Sequence, residues 1–203
     1  MTRTELNHKF AWQLFLIFLI MLLMLSLTSC QVNSKKHRKY GVLIGISDNE
    51  ILNLKGYETL VIDADFFSRE TIEQVHKNSY KNVYSYLNIG SNEIFRDGYA
   101  EFEAITVGAY ENWSEERWVD VSKPEWRNHI FNAAKALADK GVDGFFLDNA
   151  DVYYINNTPA IYQGILGILR DLHKLGLPLI INGSDVFITE AIQAGDLGDL
   201  VYG

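Results

Sequence analysis

Gly141-Val-Asp-Gly-Phe-Phe-Leu-Asp-Asn-Ala-Asp151 is a short apolar run that ends abruptly in acid and amide groups. Val142 to Leu147 reads as a strand buried on both faces, because an apolar run bounded by glycine on one side and polar groups on the other suits a parallel sheet. Asp148 then stands at the strand's C-terminal end. In folds built on parallel strands the loops converge at that end and chemistry is done there. An aspartate so placed also serves as a helix N-cap or a turn acid, so position alone leaves both roles open.

On the N-terminal side of this strand, Ser122-x-x-Glu125 has the spacing of a capping box, with Pro124 in the first turn. Trp126, Ile130, Ala133, Ala134 and Leu137 fall on one face of the helix it opens, and Gly141 stops that helix. Further upstream, Tyr40–Gly45 and Thr59–Asp63 read as the first two strands. Ser68 caps a helix running to about Lys77 with Ile72 and Val75 inward, and Asn82–Asn88 gives a third strand. Ile89 to Arg117 has no clean period and reads as a long aromatic loop carrying Tyr99, Phe102, Tyr110 and Trp113, after which Trp118-Val-Asp120 reads as a short fourth strand. Downstream, Thr158-Pro159 opens a helix with Ile161, Ile165, Ile168, Leu169 and Leu172 buried and Gly176 at its end. Leu177–Asn182 is the next strand, residues 184–194 a further helix, and Leu200–Gly203 the opening of another strand.

About seven strands thus alternate with helices, the signature of a parallel sheet with right-handed crossovers. The predicted fold is an α/β TIM (β/α)8-type barrel. An open doubly wound sheet is the alternative, but no glycine-rich phosphate loop follows the first strand. A complete eightfold barrel takes roughly 250 residues, so a 203-residue chain is expected to be incomplete at the C-terminus.

Residues 1–29 read as a targeting segment: Arg3 and Lys9 precede the apolar run Leu14 to Leu25, and Leu27-Thr28-Ser29-Cys30 follows it. This resembles a bacterial lipoprotein signal peptide with its lipobox. The resemblance implies that Cys30 is the first mature residue and carries lipid, placing the protein outside the cytoplasm, anchored to the membrane of the bacterial cell envelope. An uncleaved anchor is the other reading. Cys30 is the only cysteine, so no disulfide forms within the chain. Residues 30–39 contain Lys35-Lys36-His37-Arg38-Lys39, read either as a tether touching anionic head groups or as a solvated linker. The barrel domain is assigned to 40–203. Loss of Arg3, Glu5 and Lys9 moves the formal charge from −8 to −9, and so acidic a body argues against nucleic acid as a partner.

Collected by strand, the predicted C-terminal ends supply Asp63 and Asp65, Tyr86 and Asn88, Asp120, Asp148 with Asn149 and Asp151, and Asn182 with Asp185. Trp113, Trp118, Tyr153 and Tyr154 lie around them. Hydroxyl-rich sugars need such hydrogen-bonding groups and stack on such rings, and an acidic lining suits a cationic sugar. The five histidines, His8, His37, His76, His129 and His173, fall in the leader, the tether or on predicted helices, so no zinc site and no cofactor is expected. No Gly-x-Ser-x-Gly elbow occurs either. Carboxylate chemistry remains.

Tyr86-Leu-Asn-Ile-Gly90, Trp118-Val-Asp-Val121 followed by Trp126, Gly144-Phe-Phe-Leu-Asp-Asn149 with Asp151-Val-Tyr153, and Ile181-Asn-Gly-Ser-Asp185 together resemble the glycoside hydrolase family 114 barrels. That family includes endo-α-1,4-polygalactosaminidases. The resemblance covers residues 40 to 203 and implies a TIM barrel that hydrolyses galactosamine-containing exopolysaccharide, with Asp148 as one of the catalytic pair and the second acid, a glutamate, past Gly203. The substrate-binding candidates are Asp63, Tyr86, Asn88, Trp118, Asp120, Asn149, Asp151, Tyr153, Asn182 and Asp185. The alternative is a lipoprotein that holds sugar in the same cleft without cutting it.

The leader generates a prediction of its own. Cys30→Ser should move the protein from the detergent phase to the aqueous phase on detergent partitioning, and identical aqueous behaviour of both forms would refute lipidation.

Overall fold

The computed structural model describes residues 40–78 and 81–202, so the leader, Cys30 and the basic tether lie outside the described residues. The elements run β1 (Tyr40–Val42), α1 (Asp48–Asn53), β2 (Thr59–Ile62), α2 (Arg69–Lys77), β3 (Asn82–Asn88), β4 (Ser91–Glu93), α3 (Tyr99–Phe102), β5 (Thr106–Ala109), β6 (Glu116–Val119), α4 (Pro124–Lys140), β7 (Gly144–Asp148), α5 (Val152–Ile155), α6 (Pro159–His173), β8 (Leu179–Ile181) and α7 (Asp185–Ala194). Five strands form one parallel sheet in the order β1-β2-β3-β7-β8. Past β8, the Tyr202 amide donates to the Leu179 carbonyl at 2.7 Å, so the segment predicted to open a further strand does lie beside β8.

The register explains why these strands read as continuous apolar runs. Val61 pairs with Tyr84, Tyr84 with Gly144, Tyr86 with Phe146, and Phe146 with Ile180. Val61, Tyr84, Tyr86, Phe146 and Ile180 therefore share one face, where they form a small cluster of their own. The opposite face carries Leu60, Ile62, Val83, Leu87, Phe145, Leu147 and Leu179, and it packs into the main core with Ile72, Val75, Ile130, Leu137, Ile165 and Leu169 from the helices. With both faces covered, alternation disappears from the sequence. Each fully buried Leu, Ile or Phe contributes roughly 1.5–3 kcal/mol, so the helix-covered face supplies most of the stability.

The helix boundaries follow local chemistry. Ser68 Oγ accepts the Thr71 amide at 3.1 Å and Thr158 Oγ1 the Ile161 amide at 3.3 Å, satisfying donors that a bare helix start leaves open. Gly141 closes α4 at φ 98°, a conformation suited to glycine. The predicted capping box at Ser122 is displaced: Lys123 is the N-cap, because the Ser122 amide and hydroxyl both donate to Asp120 Oδ1, at 3.1 and 2.5 Å.

The stretch predicted as a long loop is instead folded. β4, β5 and β6 form an antiparallel sheet in the order β4-β6-β5. Trp118 pairs there with Ser91 and Gly108, so Trp118–Asp120 is not a fourth strand of the parallel sheet, where β3 pairs directly with β7. Strands of three and four residues, interrupted by a register shift between Thr106 and Gly108, are too short and irregular to show a period. The sheet is fastened to the barrel strands at Ile89 and Gly90. The Ile89 amide donates to the Asp148 carbonyl at 3.0 Å, the Val119 amide to the Gly90 carbonyl at 3.0 Å, and Trp126 Nε1 to the Ile89 carbonyl at 2.8 Å.

A Cβ at Gly90 would stand 1.8 Å from the Asn149 carbonyl oxygen, which is backbone and has nowhere to go. Gly90→Ala should therefore cost about 3 kcal/mol, read from the urea midpoint, whereas Gly45→Ala, with nothing within 4 Å of the added methyl, should be close to neutral. Equal shifts for the two would show that the contact at Gly90 is not a constraint.

Candidate active site

Asn88 and Asp148 are register partners at the ends of β3 and β7. Asp148 is half-buried, and Asn182, just past β8, donates from Nδ2 to Asp148 Oδ1 at 2.9 Å. Tyr86 lies one layer below. Burial first, then the charges of Glu93, Asp148 and Glu116 and a hydrogen bond to Asp148, push its phenol far above the ordinary range. It therefore stays protonated and acts as a fixed donor. Tyr110 is pushed up to about 12, first by burial and then by Glu116, Asp148 and Asp151.

Two tyrosines thus register the same carboxylates from different elements. Glu116, on β6, accepts at Oε2 from Ser91 Oγ at 2.5 Å, Asn149 Nδ2 at 3.1 Å and Asn88 Nδ2 at 3.4 Å. Asn149 is buried at φ 68°, a left-handed conformation that asparagine tolerates. Its side chain is used fully, since Nδ2 also donates to Ser91 Oγ at 3.0 Å and Oδ1 accepts from the Tyr110 hydroxyl at 3.2 Å. Trp118 holds Tyr110 by stacking, with ring centroids 4.2 Å apart and planes 17° apart. On the far side, Ser184, buried at φ 64°, donates from Oγ to Asp151 Oδ2 at 3.1 Å. The antiparallel sheet is accordingly one wall of the site.

Tyr86, Asn88, Asp148, Asn149, Asp151 and Asn182 are brought together as the sequence predicts, with Trp118 behind Tyr110. Other candidates are occupied elsewhere. Asp63, 2% exposed, is clamped by Arg96 through Nη2–Oδ2 at 2.5 Å and Nη1–Oδ1 at 3.3 Å, and Arg96 Nε also donates to Glu93 Oε2 at 2.7 Å. Burial pushes the Glu93 carboxyl up, with Arg96 opposing. Burial is also the largest single influence on Asp120 and raises it, but hydrogen bonds from Ser122 and Lys123 hold this carboxyl below the usual range; it is a turn acid. Tyr153 donates to Glu190 Oε2 at 2.7 Å and packs against Tyr162 and Phe187, and exposed Asp185 is the first residue of α7.

Glu116, Tyr110 and Arg96 are missing from the sequence-based set. Glu116 had a signal: it stands two residues from Trp118 on one strand and so shares its face. A cavity of about 250 Å³ opens beside this site, lined in part by Asp63, Tyr86, Asn88, Arg96 and His129. His129 lines this cavity from α4, the helix on which the sequence places it; its ring lies against Phe102 and Trp126, and burial pulls its pKa down. Among the described residues, no group of three or more His, Cys, Asp or Glu is arranged to hold a metal.

Residues 31–176 match the model of glycoside-hydrolase family GH114. No curated protein matches the sequence. By structure the chain is similar to the glycoside hydrolase domain of PelA from Pseudomonas aeruginosa, with a TM-score of 0.64 and 17% identity over 80% of this chain and 63% of that one. It is similar also to Aspergillus fumigatus Ega3 in complex with galactosamine, with a TM-score of 0.63 and 20% identity over 76% and 62%. The α-galactosidase TtGalA from Thermus thermophilus follows at 0.57 and 10% over 75% and 39%. The chain spans a little under two thirds of the length of the first two. Its fold is the α/β barrel of these proteins, of which the described residues contribute five parallel strands.

The Arg96 cluster yields a pH-dependent prediction. Arg96→Met leaves two buried carboxylates without their cation and should cost about 3–5 kcal/mol near neutrality. The Glu93 carboxyl, already raised and now lacking the Arg96 attraction, rises further, so the folded state holds a proton that the unfolded state releases. Its stability is then retained in acid and lost as pH climbs through the folded value. Urea titrations should show the gap to wild type widening as pH rises above the ordinary carboxylate range; a gap independent of pH would refute the account.

Proposed function

The chain belongs to glycoside-hydrolase family GH114, and from that premise we propose that it cleaves α-1,4-linked galactosamine-containing exopolysaccharide by carboxylate acid/base chemistry, with Asp148 as one of the catalytic pair. The observation that carries this reading is the unbalanced charge of the site. Glu116, Asp148 and Asp151 act on Tyr86 and Tyr110, yet among the described residues none of the three is in an ion pair. Neighbouring Asp63, Glu93 and Asp120 each have Arg96 or Lys123. Carboxylates left without cations at a barrel mouth favour a ligand that brings positive charge, which a galactosamine unit does through its ammonium group. The complex of Ega3 with galactosamine supports the same sugar class.

Glycoside hydrolysis divides its work between two carboxyl groups flanking the scissile bond. Asp148 suits one of the roles. Its Oδ1 is fixed by Asn182 and it receives the Tyr86 proton donor, so the carboxylate enters the reaction already oriented. Asn88, Asn149 and Asp151 offer hydrogen bonds to the sugar around it. The protein is further proposed to act as a lipoprotein of the cell envelope, held at the membrane through Cys30, where an extracellular polymer is within reach.

Asp148→Asn keeps the shape and the Asn182 contact while removing the ionisable group. Release of reducing ends from a galactosamine-rich polymer should fall by about a thousandfold with the thermal melt unchanged, whereas Asp63→Asn should reduce turnover far less. Substantial activity in Asp148→Asn would move the role to another carboxylate of the site, first of all Glu116.

A further inference from the structure

Phe66 and Phe95 are 63% and 54% exposed, Phe66 in the short helical turn that follows β2 and Phe95 in the turn that follows β4. Their rings lie 6.5 Å apart with planes 29° apart. The Arg96 guanidinium approaches both, 5.1 Å from the Phe66 centroid and 5.2 Å from that of Phe95. Arg96 is itself immobilised by Asp63, Asp65 and Glu93, so the two rings have a rigid backing. Two apolar rings presented to water on so stiff a support are poorly explained by folding alone. Arg96, which both rings contact, lines the cavity beside the active site together with Tyr86, Asn88, Asp65 and Asp97, so the rings stand next to that cavity.

We propose that Phe66 and Phe95 form a stacking platform for a sugar unit of the bound polymer lying beyond the bond that is cut. The inference rests on the hydrolase reading for the identity of the polymer. The face of a hexosamine ring that carries only C–H bonds matches the exposed ring faces, which offer area at little conformational cost. The ammonium group of the same unit meets Asp97, which is exposed and, among the described residues, in no ion pair, whereas Asp65 is already held by Arg96 and Lys140. A chain bound along the cavity from its Asn88 end, where Asn88 is the register partner of Asp148, reaches the two rings. The platform therefore acts on long substrates and not on short ones, which sets it apart from a sheath that only shields Arg96.

Isothermal titration of the whole protein with a galactosamine homopolymer and with a galactosamine disaccharide tests this. Phe66→Ala and Phe95→Ala should each weaken polymer binding about tenfold and leave disaccharide binding unchanged. Phe66→Leu keeps apolar bulk against Arg96 but removes the ring, and should lose polymer binding as the alanine variant does. Wild-type polymer affinity in Phe66→Leu, or an equal loss for disaccharide and polymer, overturns the platform, as does undiminished polymer binding in both alanine variants. If the wild-type protein binds the polymer in a ring-dependent way but releases no reducing ends, the hydrolase reading fails and the platform stands. If it binds no polymer, both fail.

Discussion

The close pairing of β3 with β7 at their C-terminal ends is the constraint from which the site follows. Asn88 is opposite Asp148, the Ile89 amide bonds to the Asp148 carbonyl, and the next residue has room for no side chain at all. That approach brings the start of the antiparallel sheet directly over the end of β7. Ser91, Asn149 and Glu116 come from three separate elements and can share hydrogen bonds only because of it. Buried polar groups cost several kcal/mol when unsatisfied, and each of these has a partner. A small shift between β3 and β7 would break several bonds at once, so the geometry is held as a unit.

Charge is divided on the same plan. Arg96 neutralises the acids on the β2 side, where Asp63 is almost completely buried and an unpaired carboxylate is least tolerable. On the β7 side, Asp148, Asp151 and Glu116 are only half-buried, and water together with neutral donors from Asn182, Ser184, Ser91 and Asn149 is enough to keep them. The difference in burial decides which acids are built into the structure and which remain open to a ligand. The Tyr86 and Tyr110 phenols are raised first by their own burial and then by these carboxylates, beside which a second negative charge is disfavoured.

The parallel strands and their crossover helices were legible because each obeys a local rule. Ser68 and Thr158 cap, Gly141 stops, and the apolar runs at Thr59, Asn82 and Gly144 become strands with both faces covered. The strand-end principle likewise groups Asp148, Asn88 and Asn182, which the structure places side by side. It does not reveal the partners of Asp63 and Asp120, which have the same local appearance, because only the fold supplies Arg96 to the first and turns Ser122 toward the second. Arg96 reaches Asp63 across 33 positions of sequence, a separation at which no periodicity survives. Residues 89–117 were opaque for a different reason: their strands are too short to display a face, and they are ordered by contact with the barrel.

That dependence separates two kinds of residue in the wall. Trp126 and Gly90 attach it, one by a hydrogen bond to Ile89 and the other by its missing side chain. Neither presents a group to the space above Asp148. Tyr110 and Glu116 do present groups, and they are supported by the wall: Trp118 stacks beneath the phenol and three donors converge on the carboxylate. Asn149 joins the two sets. Its left-handed backbone costs of order 1 kcal/mol or more, yet the conformation directs the amide toward Ser91, Glu116 and Tyr110, and three hydrogen bonds at about 1 kcal/mol each outweigh the strain. The residue after the proposed catalytic aspartate is thus kept in an unfavourable conformation by the wall, and the wall is kept in place by that residue. Groups on β5 and β6 that face the site are free to vary only within limits that leave this mutual support intact.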